Sequence, residues 1–159
     1  SYCHTFDMQA WIYRFANIVG ERASHGVLFD FIRKLRENPA ELEILGSGRQ
    51  KKSYLEVKDC IEAMLLCLQA SEEKVSLFNI GSEDAVDVKE IADIVVRHMG
   101  LKDVSYRYTS GEEGRGWKGD VRVMLLSLDK INSLGWRPKG GSSQAINSAV
   151  EALLRDGSA

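Results

Sequence analysis

An α/β fold is predicted by the alternation of two periodicities along this chain and by the cap residues at their junctions. Strand-like runs with apolar and β-branched residues alternate with longer runs of 3.6-residue apolar spacing. Met8 to Phe15 reads as a strand, and its continuation Arg14-Phe15-Ala16-Asn17-Ile18-Val19-Gly20 ends on a lone Asn and a Gly. In an open α/β sheet, such a strand end borders a ligand crevice. His25 to Arg36 is the first helix, with Val27, Leu28, Phe31, Ile32 and Leu35 on one face, and Asn38-Pro39 stops it.

Leu42 to Leu45 is a short strand, and Gly46-Ser47-Gly48 turns the chain. Ser53 to Val57 is extended and leads directly into a helix over Lys58 to Ala70, whose expected buried stripe is Ile61, Met64, Leu65 and Leu68. Val75 to Ile80 is the next strand, closed by Gly81-Ser82. Asp87 with Glu90 forms a capping box for a helix over Val88 to Met99, and Gly100 is its C-terminal cap. Val104 to Tyr108 alternates as a strand. Thr109 to Gly119, with four glycines and few apolar residues, reads as a surface loop. Ser127 caps a short helix ending at Leu134-Gly135, Trp136-Arg137-Pro138 turns, and Ser142 or Ser143 starts a last helix through Leu154.

The bulk properties exclude several classes. With 159 residues, 44% hydrophobic and 28% charged, the chain can bury a core and has no disorder signature. A net charge of −2 and no basic helix or stacking platform exclude nucleic acid as a partner. No apolar run reaches membrane-spanning length, so no membrane partner is expected. Local cations at Arg49, Lys51, Lys52, Arg115 and Lys118 suit a small anion. Cys3, Cys60 and Cys67 read as small, reduced thiols of a cytoplasmic protein, since Cys60 and Cys67 lie two turns apart on one helix. His4, His25 and His98 have no partner at metal-ligand spacing, and no metal is assigned. Gly114-Arg115-Gly116-Trp117-Lys118-Gly119 matches G-x-G-x-x-G formally, but no strand precedes it and no helix follows, so it is not a dinucleotide fingerprint.

Three ordered segments carry a family resemblance. Arg14 to Gly20 resembles the R-x-x-N-x-x-G segment of extended short-chain dehydrogenases, the superfamily of NAD-dependent sugar-nucleotide epimerases. Leu42 to Asp59 is similar to that family's L-x-I-x-G-x-G-x-Q-x-R-D-F-x-Y-V-x-D pattern, with Lys52 at the usual Arg and Ser53 at the usual Asp. Gly116 to Asp120 with Leu128 to Pro138 resembles its R-x-G-D … L-G-W-x-P tail, with Trp117 at the usual Arg and Arg115 two residues earlier. Physically, the Gly turn after Leu45 offers main-chain amides to a planar base, and a cation on the next extended segment reaches a diphosphate. Lys52 can do so only as a point charge, without a bidentate contact.

The resemblance implies the carboxyl-terminal half of an enzyme of the UDP-glucose 4-epimerase-like branch, because only thirteen residues precede Arg14. The implied fold is a set of partial Rossmann-like parallel strands (residues 1–20 and 52–81) plus the small α/β substrate-binding lobe of an extended short-chain dehydrogenase (21–51 and 82–159). It implies Asn17, Gly26, Val27, Leu45, Lys52, Arg115 and Asp120 as substrate contacts, with Ala16 lining the nicotinamide pocket. Taken as a residue alone, Asn17 reads instead as a turn Asn bonding its own backbone. The implied ligands are a UDP-hexose and, in the full-length enzyme, NAD. No catalytic residue is assigned here: the catalytic Tyr-x-x-x-Lys and the Gly-rich NAD motif are expected to be missing, leaving the chain inactive alone. Strands cut off from their sheet invite self-association through orphaned edges. The alternative is a non-catalytic α/β module that binds a phosphorylated ligand or a protein partner.

Overall fold

In the computed structural model, which describes residues 1–109 and 115–157, the chain opens with α1 (Tyr2–Thr5), β1 (Ala10–Phe15), β2 (Asn17–Val19) and α2 (Val27–Glu37). The middle holds β3 (Glu41–Ile44), β4 (Lys51–Lys52), β5 (Tyr54–Glu56), α3 (Val57–Ala70) and β6 (Val75–Ile80). Then come β7 (Val86–Asp87), α4 (Val88–His98), β8 (Ser105–Tyr108), β9 (Val123–Met124), α5 (Asp129–Ser133) and α6 (Ser142–Asp156). The predicted α/β class is what forms. Pairs β1·β6, β2·β5 and β3·β8 are parallel, and β4 lies between antiparallel β7 and parallel β9. Helices supply the crossovers that parallel pairing requires.

The chain changes partner at Ala16. Up to Phe15 it pairs with β6, and Ala16 still donates its N–H to Ile80 O at 2.9 Å. Asn17 then donates to Ser53 O at 3.1 Å and continues beside β5. Asn17 therefore opens a second short strand, where the sequence placed it at a strand end. A crevice arises where one extended run leaves one neighbour for another.

Two apolar cores flank β5. Tyr54 enters the first, built by Leu28, Phe31, Ile32 and Leu35 of α2 together with residues of β3, α4 and α6. Leu55, on the opposite face as strand alternation demands, enters the second with Cys60, Ala63, Cys67, Phe78, Ile80, Ile131 and Trp136. Buried Ser142 ties the region together: its hydroxyl accepts from Tyr54 N (2.9 Å) and donates to Asp84 Oδ1 (2.8 Å) at the start of α6.

Three sequence expectations are corrected. The buried face of α3 is Cys60, Ala63 and Cys67, while Ile61, Leu65 and Leu68 are about half exposed (51%, 53% and 48%). The two stripes lie one residue apart, about 100° on the helix wheel, and the small one allows close approach to the strands beneath. Helix α2 begins at Val27, so His25 lies outside it. Asp87 caps α4 through Glu90 N at 2.8 Å as predicted, but the Glu90 carboxylate is engaged by Ser143 of α6. The short pieces α1, β4, β7 and β9 carried no periodic signal. Part of the expected loop, 110–114, lies outside the described residues. Among the described residues, no helix is long and apolar enough to cross a membrane.

Candidate functional site

A cavity of about 410 Å³ opens where the chain changes strand partner. Its walls are Ala16 to Val19, the segment Ala23 and His25 to Leu28, and Lys52 and Tyr54 from the paired segment. Gly26 precedes α2 with φ +96°, a left-handed backbone that favours glycine; a Cβ there would meet nothing within 4 Å. The first-turn N–H groups of α2 have no intrahelical acceptor, as in any helix, and no side chain at Gly26 caps them. Uncapped N–H groups, the positive helix end and the Lys52 ammonium make this cavity suited to an anion. Asn17 donates one Nδ2 hydrogen to Ser53 O at 3.1 Å, and the amide nitrogen carries a second.

Behind the cavity wall lies a polar network. Lys52 Nζ donates to Asp120 Oδ1 at 2.6 Å, with the carboxylate nearly buried (5% exposed). Asp120 Oδ2 accepts from Gly116 N (3.1 Å) and from Gln50 Nε2 (3.2 Å), and Gln50 Nε2 also donates to Leu45 O at 3.0 Å. Burial by itself pushes the Asp120 carboxyl up, but hydrogen bonds from Lys52, Gly116 and Gln50 outweigh it and hold the group below the usual carboxylate value. Gly116 packs tightly: a Cβ would sit 3.2 Å from both Leu45 Cβ and Leu45 O, so Leu45 would have to give by a few tenths of an ångström. Gly46 N is already committed to Thr109 Oγ1 at 2.8 Å.

The structure thus gathers Ala16, Asn17, Gly26, Val27 and Lys52 around one cavity. Asp120 reaches that cavity through Lys52, and Leu45, 44% exposed, reaches Asp120 through Gln50. Arg115 lies elsewhere, beside Asp120 and Arg122 at a shallow pocket of about 430 Å³. His25, Tyr54 and Gln50 escaped the sequence reading. His25 had a signal, its place directly before the glycine that starts α2; Tyr54 and Gln50 are placed only by tertiary packing.

The expectation that no Tyr-x-x-x-Lys spacing occurs is corrected, because Tyr54 and Lys58 have it. The geometry removes the usual meaning of that spacing. Tyr54 is buried in strand β5 and Lys58 stands exposed on the first turn of α3, so they share no helix face. Burial, helped by the Asp120 charge, pushes the Tyr54 phenol up to about 12, opposite to what a proton-abstracting phenolate needs. The formal G-x-G-x-x-G match is followed by strand β9, and Gly114 lies outside the described residues.

Residues 1–81 match a family described as the NAD dependent epimerase/dehydratase family. A protein of Methanocaldococcus jannaschii named "Putative UDP-glucose 4-epimerase" is 29% identical over 94% of this chain and 47% of its own length. A crystal structure of a UDP-galactose 4-epimerase superposes with a TM-score of 0.84 and 37% identity, over 98% of this chain and 48% of that one. That of a UDP-glucose 4-epimerase with UDP-glucose from Thermotoga maritima gives 0.78 and 26%, over 98% and 49%. The chain spans between 34% and 47% of the length of the first curated relatives it matches.

Proposed function

The chain belongs to the NAD dependent epimerase/dehydratase family, and on that premise we propose that it is the substrate-binding half of a UDP-hexose 4-epimerase. In this reading the diphosphate occupies the cavity between Lys52 and the start of α2, with Asn17, Gly26 and Val27 around it. Leu45 takes the base edge and Asp120 holds Lys52 in place, while Arg115 stands away from this cavity at the neighbouring pocket beside Asp120. Residues 1–20 and 52–81 are the Rossmann-sheet part, and 21–51 and 82–159 the substrate lobe. The observation that carries this is the cavity itself: separate segments converge to set a cation and uncapped helix N–H groups around one anion-sized space.

The residues present fit the cofactor at one wall only. Ala16 is small and buried, and Gly81 lies so close that a Cβ would come within 2.9 Å of Ala16 Cβ. A flat ring can approach such a wall. NAD, when bound, would take up a hydride and return it, and in this reading no residue of this chain is the proton-abstracting group. This chain's contribution is to bind and orient the nucleotide sugar.

Titrating the purified chain with UDP, UDP-glucose and inorganic pyrophosphate, followed by amide NMR shifts, tests this reading. UDP should perturb Asn17, Val27 and Leu28, and Lys52→Met should weaken it about tenfold, the worth of one charge-assisted contact. The chain incubated with NAD and UDP-glucose should form no UDP-galactose. Measurable epimerisation would sink the claim of inactivity, and failure of UDP to shift those amides would sink the site. Equal affinity for UDP and pyrophosphate would favour a module for simple phosphorylated ligands.

A further inference from the structure

Gln50 is only 3% exposed, yet its carboxamide belongs to neither apolar core. Its Nε2 makes two bonds, to Leu45 O just past β3 (3.0 Å) and to Asp120 Oδ2 (3.2 Å). Its Oε1 is buried with no hydrogen-bond partner among the described residues. A buried acceptor left without a partner is costly, so the side chain is kept there for its two donated bonds. Both groups it faces are acceptors, which a neutral amide satisfies. A carboxylate there would face a carbonyl oxygen and a second carboxylate. The path is continuous: Leu45 O, Gln50 Nε2, Asp120, then Lys52 Nζ at the cavity wall.

We propose that Gln50 is a positioning residue that couples the Leu45 end of the site to the Lys52 end, so that the site favours a nucleoside diphosphate over bare pyrophosphate. This rests on the reading of Leu45 as the base contact and Lys52 as the diphosphate contact. A base seated against Leu45 fixes the Leu45 carbonyl, and through the amide it fixes the carboxylate that aims the ammonium. Pyrophosphate, which never reaches Leu45, gains nothing from that path.

The test uses Gln50→Met, which fills similar volume without a donor. Without ligand, Asp120→Asn should shift the Leu45 and Gly46 amide resonances markedly more in the unsubstituted background than in the Gln50→Met background, where only the Gly116 contact with Leu45 remains. With ligand, Gln50→Met should weaken UDP binding about tenfold, the worth of one hydrogen bond to a charged group, and pyrophosphate binding by less than about twofold. Equal responses of Leu45 in both backgrounds, or equal losses for UDP and pyrophosphate, would overturn the coupling. If the Gln50→Met protein fails to fold, Gln50→Asn, one methylene too short to reach both acceptors, is read the same way. Should the unsubstituted chain bind no UDP, the proposed function fails, and the ligand-free comparison still decides the role of Gln50.

Discussion

Lys52 and Asp120 show how a single pair decides what the site can do. A lysine offers one compact charge, and here that charge already points at a carboxylate 2.6 Å away. An incoming anion therefore shares Lys52 with Asp120. Because the folded carboxyl sits below its usual value, the stabilisation it provides is complete above the unfolded value of about 4 and is lost as pH falls through the folded one. Asp84 behaves likewise: burial pushes it up, but bonds from Ser142 and Ser82 prevail and lower it. The thermal midpoint should hold steady from neutral pH to about 4 and fall below that. The fall should be shallower in Asp120→Asn than in the unsubstituted chain, and equal slopes would show that the pair does not contribute. Sequence identified Lys52 and Asp120 as candidates through the family pattern. It could not show their contact, since 68 residues separate them along the chain.

At the level of elements, the start of α6 is fastened by one hydroxyl. Ser142 is fully buried, and its Oγ closes a link from Tyr54 N in β5 to Asp84 in the loop before β7. Ser142→Ala would strand the Tyr54 N–H and cost about 1–3 kcal/mol. For a domain of this size that is a fall in thermal midpoint of roughly 2–4 °C per kcal/mol, readable by calorimetry. An unchanged midpoint would mean that water replaces the hydroxyl. Helices α2 and α4 were legible because each has one apolar stripe and a clear stop or cap. Helix α3 misled because it carries two stripes one residue apart, and periodicity alone cannot say which the strands below will accept. The two-residue strands β4, β7 and β9 are too short to carry any period.

Across the whole molecule, β1 and β6 form a two-stranded parallel sheet, an arrangement that is marginal by itself. Ile12, Val75 and Leu77 lie on its open face with 49%, 41% and 36% exposure, and Ile61, Leu65 and Leu68 of α3 are exposed as well. So much apolar surface favours association in water. Sedimentation velocity of the chain should show species heavier than a monomer that grow with concentration. Ile12→Lys together with Leu77→Lys should shift the distribution toward monomer without lowering UDP binding. A clean monomer at high concentration would remove this expectation.

The sequence by itself determined the α/β class, most helix and strand positions, and the family, because local periodicity, caps and ordered motifs are properties of neighbouring residues. Tertiary structure decided the rest. It turned the small face of α3 inward, placed His25 and Tyr54 on the cavity, and separated Tyr54 from Lys58 despite their spacing. It also joined Leu45, Gln50, Lys52 and Asp120 into one hydrogen-bonded path. Those outcomes depend on contacts between residues far apart in the chain, where packing volume and the need to satisfy buried polar groups choose among arrangements that local sequence leaves equal.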